Sequence, residues 1–209
     1  MHVKILKGAH AALNYRGRAV KRSKIWLQKN FDTGYIKYGY TGWQWMVAFA
    51  QKRMEAFPLV DAMCDRLNGH MDARMQFNHC IGTMYEDGSD NIGFHSDKVQ
   101  NWVKNSPFIA IKFGEARPFA FSSADGEVFF NEKLAAGTAV IVGYDANQET
   151  KHAVPVAEFA GQSGSLVFRA LETCVPWRQV MREKDKSDEA RVKARVRKVE
   201  RKVRQISKA

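Results

Sequence analysis

The chain has 209 residues, 45% hydrophobic and 26% charged, with a formal net charge of +11. That length suits one domain with a sizeable core, and the apolar fraction excludes wholesale disorder. No apolar run approaches the length of a membrane-spanning helix, the opening MHVKILKGAHAALNYRG does not read as a signal peptide, and the three widely spaced cysteines (Cys64, Cys80, Cys174) fit neither a disulfide framework nor a cysteine zinc site. A reducing location is expected, cytoplasmic or nuclear in a eukaryote, and neither secreted nor in a membrane.

Residues 1–42 carry short apolar groups broken by Lys21, Arg22 and Lys24, then Tyr35, Tyr38 and Tyr40. Loops and one or two short strands are expected there. From Trp43 the spacing of Met46, Phe49 and Ala50 predicts a helix. A second helix should start at Pro58, bury Leu59, Met63 and Leu67, and stop at Asn68-Gly69. Beyond Met75 come short β-type segments: Gln76–Tyr85, Phe108–Phe113, Pro118–Ser122, Glu127–Phe130, Ala139–Val142, His152–Pro155 and Ser165–Leu171. Turn residues at Glu86-Asp87-Gly88, Ala124-Asp125-Gly126 and Ala136-Gly137 separate them. Many short strands after two helices predict an α+β domain over residues 43–177, its sheets forming a sandwich or a barrel-like jelly roll.

The tail, 178–209, holds 13 Lys/Arg against 5 Asp/Glu. Val192, Val196, Val199, Val203 and Ile206 recur in steps of four and three, which predicts an amphipathic helix with a narrow apolar seam. Such a helix can pack on the domain, pair as a short coiled coil, or lie along a phosphate backbone. A basic segment attracts polyanions through counterion release, so nucleic acid is the expected partner of this tail.

One segment points to chemistry. In Tyr85-Glu-Asp-Gly-Ser-Asp-Asn-Ile-Gly-Phe-His95-Ser-Asp97, the imidazole of His95 and the carboxylate of Asp97 lie two apart, on one face of an extended strand. His152, which opens a later β-type segment, is the candidate third ligand. Two histidines and one carboxylate leave three positions of a six-coordinate iron open, for a bidentate cosubstrate and O₂.

The blocks around these residues resemble the AlkB family of Fe(II)- and 2-oxoglutarate-dependent dioxygenases, especially its DNA- and RNA-repair branch. Phe77-Asn78 and the run Tyr85 to Asp97 look like that branch's asparagine, tyrosine and D-G-x-D-x-I-G-x-H-x-D segment. Ser106-Pro-Phe-Ile-Ala-Ile-Lys-Phe-Gly-Glu-Ala-Arg117-Pro-Phe119 is similar to its S-P-I-…-S-F-G-…-R-x-F strand pair. Gly137–Val142, His152-Ala-Val-Pro155 and Ser165-Leu-Val-Phe-Arg169 then follow in family order. The resemblance implies a double-stranded β-helix core with N-terminal helices packed on it and a basic helical tail. It implies Fe(II) held by His95, Asp97 and His152, 2-oxoglutarate as cosubstrate with O₂, and Tyr85 and Arg169 as cosubstrate contacts. It places nucleotide recognition in residues 1–42 and Trp43–Trp45, with Tyr38, Tyr40 and Arg117 as substrate contacts, and it implies oxidative demethylation of N-alkylated bases.

The sequence departs from the family pattern at three positions. Ser163 stands where an arginine anchors the far carboxylate of 2-oxoglutarate, Thr83 where there is an asparagine, and Lys112 where there is a serine. Lys112, inside an apolar strand, is the expected replacement anchor. Two alternatives stay open: an oxygenase hydroxylating an unmethylated base, a protein side chain or a small molecule, and a nucleic-acid-binding module on a degenerate oxygenase fold.

Overall fold

A computed structural model describes residues 14–15, 18–19, 22–37, 51–158, 160–172 and 174–182, with parts of the tail between 185 and 196. Asn14–Tyr15 (β1) and Arg18–Ala19 (β2) pair with each other. Ser23–Gln28 (β3) and Gln51–Arg53 (β5) are joined to the domain's large sheet, while Tyr35–Ile36 (β4) pairs with Cys174–Val175 (β14). The helix Pro58–Asn68 (α1) follows, then the strands His79–Tyr85 (β6), Ile92–His95 (β7), Phe108–Gly114 (β8), Arg117–Ser123 (β9), Val128–Leu134 (β10) and Ala139–Val142 (β11). A short helix, Tyr144–Glu149 (α2), leads into Thr150–Val154 (β12) and Ser163–Arg169 (β13).

Two sheets result, in the orders β11-β8-β13-β6-β3-β5 and β10-β9-β12-β7. Every pairing in them is antiparallel except β3 with β5. This is the double-stranded β-helix of a jelly roll, an α+β domain as expected. Strand alternation assigns the faces. On the large sheet, Ile25, Leu27, Cys80, Ile109, Leu166 and Phe168 turn outward and meet α1 through Val60 and Cys64. Their neighbours in sequence, including Ile81, Phe108, Ala110 and Val167, turn inward toward the small sheet and line a pocket. Each fully buried aliphatic or aromatic side chain contributes about 2 kcal/mol.

Some expectations fall outside the described residues and others need correction. The helix expected from Trp43 falls on residues outside those described, and Gln51–Arg53 is a strand. In α1 the stripe is Val60 and Cys64 with Met63 and Leu67 beside them, whereas Leu59 is 54% exposed. The helix stops at Asn68 with Gly69 as its cap, as expected, but that glycine is not left-handed, since its φ is −60. Instead the Asn68 side chain leaves the helix register, accepting from Phe77 N and donating to Phe77 O. Tyr35 is core rather than substrate-facing, packed with Trp177 and Val180. The tail is helical at 177–182 and at the described positions beyond. Val180 is buried, while Val192 and Val196 stay exposed, and Val199, Val203 and Ile206 lie outside the described residues.

Candidate active site

The run from Tyr85 to Asp97 is first of all a turn. Glu86 N donates to Asp90 Oδ2 and Ser89 N to Asp87 Oδ1, so the two aspartates close the loop on itself. Gly88 is demanded by close approach: a Cβ there would sit 1.8 Å from the carbonyl oxygen of Ala157. The buried guanidinium of Arg117 locks the loop from below, donating to the carbonyls of Asp87, Gly88, Asp90 and Pro155. Arg117 also lies 5.1 Å from the Tyr85 ring centroid. It is therefore part of the frame, and the expectation that it touches substrate is corrected, because both its Nη groups donate to backbone carbonyls and it is 0% exposed.

The fixed loop delivers β7 beside β12, whose register sets His152 opposite His95 with ring centroids 4.4 Å apart. Asp97 lies past the end of β7, yet one ligating atom from each of His95, Asp97 and His152 falls within 4.8 Å of the others. What carries Asp97 there is Asn147, fully buried on α2. Its Oδ1 accepts from Asp97 N and its Nδ2 donates to Asp97 O, both at 2.9 Å. Since α2 runs directly into β12, one asparagine ties the carboxylate to the strand bearing His152. Sequence inspection missed Asn147, because a lone asparagine in a turn-rich segment gives no signal.

The donor set suits a divalent metal. His95 Nδ1 lies 2.8 Å from Gly93 O, which places the proton on Nδ1 and leaves Nε2, 3.9 Å from Asp97 Oδ1, free to ligate. Burial holds His152 down to about 4, aided by the neighbouring His95, and burial also lowers His95. Both rings are thus neutral near pH 7. Burial pushes Asp97 up, but Arg169, His152 and His95 together outweigh it and keep the carboxyl well below its ordinary range. Arg169 donates to Asp97 Oδ2 through both Nε and Nη2, with its guanidinium 5.7 and 5.6 Å from the ring centroids of Trp102 and Phe108. The resemblance implies a cosubstrate contact for Arg169, and here it lines the pocket while gripping the carboxylate ligand.

The opposite end of the pocket is built differently. One rung crosses the large sheet in register from this end, at Lys112, toward the metal end, at Lys24: Lys112 pairs with Ser165, Ser165 with Thr83, and Thr83 with Lys24. Alternation puts all four on the inner face. Lys112 is 4% exposed, and burial lowers its ammonium to about 8, with Arg117 pushing the same way. Among the described residues no carboxylate pairs with it, and its Nζ lies 5.4 Å from the Phe119 ring centroid. Ser163 Oγ, next along β13 and opposite Tyr85, is buried with no hydrogen-bond partner among the described residues. The buried Tyr85 phenol lines the pocket and is pushed up to about 12 by burial, so it remains a neutral donor. Buried donors without acceptors cost roughly 1–3 kcal/mol each, so this end fits an anionic ligand. Tyr38 and Tyr40 lie outside the described residues.

Residues 14–198 match the sequence model of the 2OG-Fe(II) oxygenase superfamily. The chain belongs to that superfamily. Its members use Fe(II), 2-oxoglutarate and O₂, and the neutral-His, carboxylate, His cluster here meets that requirement. No curated protein matches the chain significantly. Among solved structures, that of OsALKBH1 aligns with 71% of this chain and 78% of its own, at 17% identity and a TM-score of 0.47.

Proposed function

We propose that this 2OG-Fe(II) oxygenase is an AlkB-like enzyme that oxidatively demethylates N-alkylated bases in DNA or RNA. The observation that carries this reading is the run from Tyr85 to Asp97, whose turn, tyrosine and two ligand positions follow the AlkB pattern while the downstream blocks keep its order. In it, His95, Asp97 and His152 hold the iron. Lys112 and Tyr85 hold the far carboxylate of 2-oxoglutarate in place of the missing arginine at Ser163. Arg169 fixes Asp97 at the metal end. With iron and cosubstrate bound, the site supplies O₂-driven oxidation of a C–H bond, 2-oxoglutarate becoming succinate and CO₂. A hydroxylated N-methyl group then leaves as formaldehyde. The base must reach the site unpaired or flipped from its stack. The basic tail contributes affinity for the phosphate backbone, which falls steeply with salt.

The test is a panel of 1-methyladenine and 3-methylcytosine in single- and double-stranded DNA and RNA. Formaldehyde release matched by succinate supports the proposal. Fe(II)-dependent succinate with none of these substrates consumed points to a hydroxylase of another substrate. Absence of any 2-oxoglutarate turnover points to a binding module.

A further inference from the structure

The rung Lys112–Ser165–Thr83–Lys24 has a lysine at each end, three strand spacings or roughly 14 Å apart, and the proposed cosubstrate site uses one of them. The two ammonium groups face different surroundings. Lys112 lies over Phe119 and within range of Arg117. Lys24, half-buried, lines the pocket at the metal end, within electrostatic range of Asp97, Arg169 and Arg22. Asp97 does not pair with it, because Oδ2 accepts from Arg169 and Oδ1 faces His95. No other carboxylate pairs with Lys24 among the described residues.

The charge in this pocket does not close. Among the described residues that line it, two cations, Lys24 and Arg169, meet one carboxylate, Asp97. Fe(II) and the 2-oxoglutarate dianion cancel one another when both are bound. With Arg169 paired to Asp97, the positive charge of Lys24 is left over beside the reacting position, and a desolvated cation without a counter-ion is costly. The missing counter-ion must therefore arrive with the primary substrate. Lys24 sits on β3, separated from Lys112 on β8 by β13 and β6, and is placed to receive it.

We infer that Lys24 binds an oxyanion of the primary substrate next to the metal, which in the nucleotide reading above is the phosphate attached to the alkylated nucleoside. This rests on that reading for the identity of the oxyanion, and on the pocket's geometry and charge for its existence. Lys24 is a substrate-positioning residue distinct from the cosubstrate anchor. Its reach also predicts that the enzyme favours a phosphorylated substrate over the bare nucleoside.

The experiment uses the full chain loaded with Mn(II) and 2-oxoglutarate, without turnover. Paramagnetic broadening of the ³¹P line is followed for 1-methyladenosine 5′-monophosphate and for inorganic phosphate. The unaltered protein should broaden both lines. Lys24→Gln should weaken that binding about tenfold, the loss expected for one charge-assisted contact, while Lys24→Arg restores it. Affinity for 2-oxoglutarate should stay unchanged in both variants. Broadening equal in Lys24→Gln and the unaltered protein overturns the inference, as does a parallel loss of 2-oxoglutarate affinity, which would make Lys24 part of the cosubstrate site. If inorganic phosphate shows the Lys24 dependence but the methylated nucleotide binds no better than phosphate, the oxyanion site stands and the nucleobase reading falls.

Discussion

The two ends of the pocket are stabilised in opposite ways. At the metal end, protein groups satisfy one another before any metal arrives: Gly93 fixes His95, Asn147 holds the Asp97 backbone, and Arg169 holds its carboxylate. At the other end, Lys112 and the Ser163 hydroxyl are buried among apolar strands with no protein acceptor among the described residues. The lesson is that this fold commits its candidate ligand geometry in advance and leaves a buried cation unpaired at the other end, which the proposed function assigns to the far carboxylate of 2-oxoglutarate.

That contrast can be broken at several points. The largest effect should come from Asp97→Ala, which removes a ligand and strands the buried Arg169. Metal affinity should fall at least about 100-fold by calorimetry, with a stability loss of about 3 kcal/mol in denaturant unfolding. Next, Arg117→Met should leave several buried carbonyls of the Asp87–Asp90 loop and Pro155 unpaired and cost about 3 kcal/mol in unfolding experiments. Metal affinity of the protein that remains folded should change little, because Arg117 serves the frame. Asn147→Ala is expected to reduce metal affinity about tenfold, as losses of outer hydrogen bonds to ligands do, with 2-oxoglutarate affinity of the metal-saturated protein nearly intact.

A smaller effect concerns pH. The unfolded chain protonates His152 near its ordinary 6.5, whereas the folded site resists until about 4. The unfolded state thus binds more protons between those values, so this contribution is fully present above 6.5 and is lost as pH falls toward 4. Asp97, depressed in the fold, pulls in the same direction at still lower pH. Thermal melts of metal-free protein should show stability declining on acidification through that window. A flat profile between pH 6.5 and 4 would contradict the buried, neutral imidazole.

Much of this was legible in the sequence, for local reasons. Turn residues and β-branched runs located most strands of the jelly roll, and Ala139–Val142 matched residue for residue. The His95–Asp97 spacing and His152 were readable because strand periodicity and the AlkB-like blocks agreed. Other features depended on partners distant in sequence. Val60 rather than Leu59 faces the sheet because α1 is rotated by its packing on β3 and β6. Arg117 looked like a substrate contact because an arginine gives no sign that four carbonyls surround it. Asn147 and Lys24 were passed over for the same reason, since only register and packing bring α2 to Asp97 and β3 to the pocket.

The most direct test of the proposed role of Lys112 is an anaerobic titration of Fe(II)-loaded protein with 2-oxoglutarate. It follows the visible absorption that chelation produces, for the unaltered chain and for Lys112→Ala. The account predicts that the variant keeps its iron affinity but needs about ten to a hundred times more 2-oxoglutarate for half-saturation, the cost of one buried charge-assisted contact. Equal half-saturation in the two proteins would contradict it.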